Sequence, residues 1–180
     1  MTLHTRQFTD LLGYWRNKCR DGRMPSRLDV DPADLLPLLP SLYLLDVLWQ
    51  PRPDGPGLEV DFRYRLVGTS VDLLHGRPLT GLTIRQAWTG PSRAAALDPL
   101  CRVLEDRAPI LARFTVGSLS APVRLESLCL PLSADGRAVD MVLGALLHRG
   151  GGDLPQSQGP GPDTRAGIGE IGVEIFPIDP

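Results

Sequence analysis

The chain is poor in lysine, in cysteine, in excess charge of either sign and in long apolar runs. Lys18 is the only lysine among 19 basic residues, and the arginines are scattered, which reads as coding bias rather than a basic patch. A formal charge of −2 over 180 residues offers no general attraction to a phosphate backbone, so no nucleic acid partner is expected. Cys19, Cys101 and Cys129 are odd in number, far apart and set among apolar neighbours; they read as free buried thiols in a reducing compartment, with no disulfide frame. The most apolar region, Leu35 to Trp49, is broken by Pro37, Pro40, Ser41 and Asp46 and falls short of the roughly 20 apolar residues that span a bilayer. The opening MTLHTRQFTDLLGYW lacks the charged start, apolar core and small-residue cleavage site of a signal peptide. The expected location is cytoplasmic, with no membrane contact.

Catalytic and metal-binding patterns are also sparse. His4, His75 and His148 are spread over the chain, and neither they nor the cysteines have a spacing that closes a zinc site. Ser70, Asp72 and His75 are the residue types of a hydrolytic triad, yet Ser70 and Asp72 stand two apart and share no helix face, and no G-x-S-x-G turn accompanies them. Gly167 to Gly172, GIGEIG, matches the dinucleotide fingerprint in letters. That chemistry needs a preceding strand, a following helix and an acidic residue about 20 positions later. A Gly/Pro-rich stretch precedes this copy and eight residues follow it, so NAD is not expected.

What the sequence does contain is a fold pattern. With 42% hydrophobic and 22% charged residues it has the balance of one globular domain, a size that buries roughly 70% of its unfolded surface. Its centre is Asp61 to Thr69, DFRYRLVGT. Val60, Phe62, Tyr64 and Leu66 alternate with Asp61, Arg63 and Arg65, the period of a half-buried strand. Gly68 then allows a turn and Thr69 caps a helix through Ser70 to His75.

Before this strand, Phe8, Leu11, Leu12, Trp15 and Cys19 recur at helical spacing and predict an amphipathic helix, packed on the chain's own sheet or shared across a homodimer. Asp31-Pro32 starts a helix that Pro37 and Pro40 keep to about two turns. Ser41 to Gln50, apolar on both faces apart from Asp46, reads as a central strand, and PRPDGPG at Pro51 to Gly57 turns it back into the Val60 to Val67 strand. After it, Thr83 caps a short helix with Ile84 and Trp88. Gly90-Pro91-Ser92 opens a longer helix to Arg107, with a kink or restart expected near Asp98 because Pro99 removes a donor. Strands Ile110 to Val116, Val123 to Leu130 and Val139 to Leu147 follow. Arg149 to Gly167 is mostly Gly, Pro, Ser, Gln and Asp and reads as a flexible tail. Ile168 to Ile178 regains apolar residues and is left as a disordered end, a docked edge strand or a partner-binding segment. The organisation is therefore an N-terminal helix and connector over 1–27, a domain over 28–148 and a tail over 149–180.

Two strands, several short helices and three antiparallel strands is the order of a PAS domain. The chain resembles a bacterial PAS family, common in alphaproteobacteria and formerly a domain of unknown function. The resemblance rests on Tyr14-Trp15, LDVDP at Leu28 to Pro32, Leu39-Pro40 leading to LLDV at Leu44 to Val47, FRYRLVGT at Phe62 to Thr69, Leu79-Thr80-Gly81, Pro131-Leu132-Ser133 with Asp135-Gly136, and Met141 to Gly144, over about Phe8 to His148. It implies an α+β fold: a five-stranded antiparallel sheet with short helices on one face and an N-terminal amphipathic helix. It also implies a sensory or regulatory module with no catalytic residues to carry over. Some PAS domains hold haem on a helical histidine, but His75 adjoins Gly76 and reads as an exposed histidine at a helix end. The Asn-Cys-Arg motif of flavin photosensors is missing from the matching helical region, so neither haem nor flavin is expected.

The expected binding space lies between the inner sheet face and the helices, because ligand pockets are concave, largely apolar and furnished with a few polar groups. Its candidate lining is Tyr64, Leu73, Trp88, Leu100, Leu104, Leu128 and Met141, each of which also serves as plain core. Glu126 alternates in register with Leu128 and Leu130; facing inward it would need Arg63, Arg124 or a ligand donor as partner. The functional expectation is a stand-alone regulator that binds a small molecule or a partner protein and signals in trans through packing of its first helix or a dimer interface. A docking module with a filled core is the alternative. An enzyme is not expected, since the lining offers only Tyr64 and Glu126 as titratable groups.

Overall fold

The computed structural model describes residues 6–118, 121–148 and 172–178. Helix α1 (Arg6–Lys18) is followed by a 3₁₀ stretch (Pro32–Ser41), strands β1 (Leu42–Pro51) and β2 (Leu58–Val67), helices α2 (Thr69–His75), α3 (Ile84–Ala87) and α4 (Gly90–Asp106), and strands β3 (Ile110–Ser118), β4 (Ala121–Leu132), β5 (Met141–His148) and β6 (Gly172–Pro177). All strand pairs are antiparallel, in the order β2-β1-β5-β4-β3-β6. Among the described residues the sheet thus has six strands where five were expected. The sixth comes from the stretch the sequence had left open: Val173, Ile175 and Phe176 carry enough apolar surface for 172–177 to pair along the outer edge of β3. The GIGEIG motif and the Gly/Pro-rich stretch lie outside the described residues except for Gly172.

Both faces of the sheet are covered, and this decides every later assignment. On one face α1 lays Phe8, Leu11, Leu12 and Trp15 into a core shared with Leu35, Leu38, Leu128, Leu130 and Leu143. Trp15 is 2% exposed, and its indole Nε1 donates to the Pro131 carbonyl at 2.8 Å. The stripe proposed for sharing with a second copy is therefore already buried on the chain's own sheet. On the other face α2, α3 and α4 close over Leu45, Phe62, Tyr64, Ile110, Cys129 and Val142.

Local chemistry accounts for most boundaries. Asp31 caps the 3₁₀ stretch by accepting from the Ala33 amide at 2.9 Å, and Pro37 and Pro40 keep it from becoming an α-helix. Thr83 and Gln86 form a reciprocal capping box at the start of α3. Helix α2 ends at Gly76 in the left-handed region, φ 66°. Helix α4 runs through Pro99 as one unbroken helix, without the restart expected at Asp98.

Two details of the central stretch differ from expectation. Leu66 is 47% exposed, because Leu44 pairs with Leu66 but Leu45 pairs with Tyr64. The extra residue, Arg65, forms a bulge that shifts the alternation by one, so Val67 rather than Leu66 packs towards the helices. Gly68, not Thr69, is the N-cap of α2, with no side-chain cap, and its φ of −73° and ψ of 152° are open to any residue. Glycine is required there for space: an added Cβ would collide with the backbone carbonyls of Leu39 and Pro40.

Candidate functional site

Between the sheet and α2–α4 lies a cavity of about 90 Å³. Its floor is the sheet face carrying Tyr43 and Leu45 of β1, Tyr64 of β2, and Leu125, Ser127 and Cys129 of β4. Its roof is built from Leu74 and His75 of α2, Ile84 of α3, Trp88, and Ala95, Ala96, Pro99 and Leu100 of α4. Small residues in the middle of α4 are what leave the space: alanines stand where leucines would fill it.

Apart from Ser92 of α4, its polar groups form two clusters. At the floor, the Tyr43 hydroxyl shares hydrogen bonds with Ser127 Oγ at 2.7 Å and Cys129 Sγ at 3.2 Å. The phenol reaches them because it crosses β5 at Gly144, where any Cβ would overlap its ring. At the roof, Trp88 Nε1 donates to the Tyr64 hydroxyl at 3.3 Å, and the His75 ring meets Trp88 edge-on, with centroids 4.6 Å apart. His75 Nδ1 lies 2.8 Å from the Val71 carbonyl. A carbonyl only accepts, so Nδ1 carries the proton and Nε2 bears the lone pair.

Burial keeps these groups uncharged. It pushes the Tyr43 phenol well above its usual value of 10.0, raises Tyr64 to about 12, and raises the Cys129 thiol. It also lowers His75 below 6.5, with the Val71 carbonyl opposing. Among the described residues, the lining includes no Asp, Glu, Lys or Arg. The arrangement suits recognition of an uncharged molecule.

The lowered His75 value makes a sign-definite prediction. Above pH 6.5 the imidazole is neutral in both folded and unfolded chains; below it the unfolded chain takes up a proton that the folded one resists. Stability contributed by His75 is thus lost as pH falls below 6.5 towards the depressed folded value, at a limiting slope of about 1.4 kcal/mol per pH unit. Asp72 and Arg77, the charged neighbours, act in opposite directions. Urea unfolding between pH 7 and pH 5 should be flatter for His75→Phe than for the native chain, and equal slopes would refute the assignment.

The residues expected at the site separate into three groups. Tyr64, Trp88 and Leu100 line the cavity. Leu104 packs half-buried against the same core without reaching the cavity, and Leu73 is 54% exposed on the outer side of α2. Glu126, Leu128 and Met141 lie on the opposite face of the sheet: Leu128 and Met141 pack into the core beneath α1, and Glu126 accepts from Arg113 Nε at 2.8 Å. The alternation placing Glu126 with Leu128 and Leu130 holds; the face does not, since Leu125, Ser127 and Cys129 are the residues turned to the cavity. The expected partner Arg63 instead donates to Asp46, at 3.0 Å from its NH2 nitrogen. Tyr43, Ser127 and Cys129 were missed, and Ser127-x-Cys129, polar positions interleaved with Leu128, was the available signal. His75 is not the exposed helix-end histidine expected, because Trp88 and the helix wall enclose its ring.

A model of the PAS domain family matches residues 3–147. The chain belongs to the PAS domain family. The match runs from before α1 through β5 and so includes both the first helix and the cavity. Comparison with curated proteins and with solved structures gave no match. Membership gives this PAS domain a sensory or regulatory role in general terms. Among the described residues no helix is long and apolar enough to cross a membrane.

Proposed function

We propose that this PAS domain is a sensor in which a small, mainly apolar, uncharged molecule occupies the cavity beneath α2–α4, and that occupancy is passed to a partner protein through the packing of α1. The observation that carries the reading is the apolar cavity with its two clusters of neutral polar groups. Strand β4 supplies a route: Leu125, Ser127 and Cys129 touch the cavity, while Leu128 and Leu130 on the same strand support α1. A ligand shifts α1 only as far as it prefers one packing over the other.

Native mass spectrometry of the protein as purified, compared with its denatured mass, tests the reading. A reproducible extra mass that leaves on denaturation supports it. A bare mass, together with no thermal stabilisation by any small apolar compound, overturns it. The second reading, a docking module with a filled core, is favoured by cavity size, since 90 Å³ is below the roughly 300 Å³ at which ordinary ligand pockets begin.

A further inference from the structure

Nε2 of His75 is buried and has no hydrogen-bond partner among the described residues. It belongs to a ring that lines the cavity and whose other nitrogen is turned back onto α2. Proton counting makes it an acceptor: Nδ1 gives its hydrogen to the Val71 carbonyl, so in the neutral ring Nε2 offers only a lone pair. A buried acceptor left unmet is a cost to the fold, and a hydrogen-bond donor held in the cavity would relieve it. Trp88, which meets the His75 ring, also contacts Tyr64: the indole can only donate, so the Tyr64 oxygen accepts from it. The hydroxyl proton of Tyr64 is then left to give, with no acceptor recorded for it among the described residues.

We infer that the cavity recognises an uncharged molecule of about one ring or a short alkyl chain, bearing a hydroxyl group that donates its hydrogen to Nε2 of His75. A hydroxyl both gives and takes, so it is complementary to the free acceptor of His75 and to the free donor of Tyr64. An ether or a halide meets Tyr64 alone. A carboxylate brings charge into a space whose lining, among the described residues, holds no cation. Size limits the rest: an apolar cavity of roughly 150 Å³ accommodates benzene, and this one is about 90 Å³, so a single ring fits only with a small yielding of the short helices α2 and α3.

The inference rests on the sensor reading and specifies the ligand class of the same site. The test uses the full chain with phenol and with fluorobenzene, a ring of similar size that lacks the donor. Nitrogen NMR of the imidazoles and a titration of each compound are followed in the native chain and in His75→Phe, which keeps a ring against Trp88. Phenol should bind at least tenfold more tightly than fluorobenzene and move the His75 Nε2 resonance, and in His75→Phe the two affinities should converge. Equal affinities in the native chain, with an unmoved Nε2 resonance, overturn the hydroxyl inference while leaving the cavity reading in place. If neither compound binds up to its solubility limit, both fall. Should His75→Phe fail to fold, the comparison of the two compounds in the native chain and the Nε2 resonance still decide.

Discussion

Arg113→Met should destabilise the fold by about 3 kcal/mol or more, the cost of breaking a buried ion pair from one side. Glu126 is 1% exposed, and Arg113, directly across from it in the β3–β4 register, places Nε 2.8 Å from its carboxylate. Phe176 of β6 covers the guanidinium, 4.6 Å from ring centroid to its central carbon, so the edge strand keeps water from the pair and adds a cation–π contact. Removing the cation leaves a buried carboxylate without the guanidinium that balances its charge. For a chain of this size the thermal midpoint should fall by roughly 6–12 °C. The double variant Arg113→Met with Glu126→Leu should recover most of the loss, because two apolar groups of similar volume need no partner. A single variant within about 1 kcal/mol of the native chain in urea unfolding would show that the pair contributes little.

Gly68→Ala should cost about 3 kcal/mol, at the upper end of overpacking penalties. An added Cβ meets the carbonyl oxygens of Leu39 and Pro40, which are backbone atoms and cannot rotate away as a side chain can. Nor can Gly68 retreat easily, since its amide donates to the Leu42 carbonyl at 2.7 Å. The clash lies at the N-terminus of α2, the helix that carries His75, so the variant should also weaken phenol binding. If Gly68→Ala unfolds at the native urea midpoint, the junction has room to move and the close approach is not what demands glycine there.

How much of this was legible beforehand depended on whether a property is local. The two strands, the short helices, the three further strands and the order of a PAS domain followed from alternation, capping residues and turn chemistry, each a matter of a few neighbouring residues. So did the pairing of Glu126, Leu128 and Leu130 on one face. The sequence left 168–178 undecided because an edge strand takes its stability from the strand beside it, and β3 is some sixty residues away in the chain.

The site was less legible, for a physical reason that recurs through the molecule. Period-2 alternation says which residues share a face and not which face meets which layer, and when both faces are buried composition cannot break the tie. Leu128 under α1 and Cys129 against the cavity are equally buried; only the placement of α1 and α4 tells them apart. The same holds for single residues. Gly68 reads in the sequence as a residue whose free torsion angles allow the strand-to-helix corner, yet what excludes a side chain there is the Leu39–Pro40 backbone lying against it. His75 next to a helix-ending glycine looked exposed, and Trp88, thirteen residues on, encloses it. By itself the sequence determined the family and the order of the elements from α1 to β5, because these are written in local patterns. Tertiary structure alone decided which side of the sheet holds the cavity and which polar atoms in it lack partners, because those depend on groups brought together from distant parts of the chain.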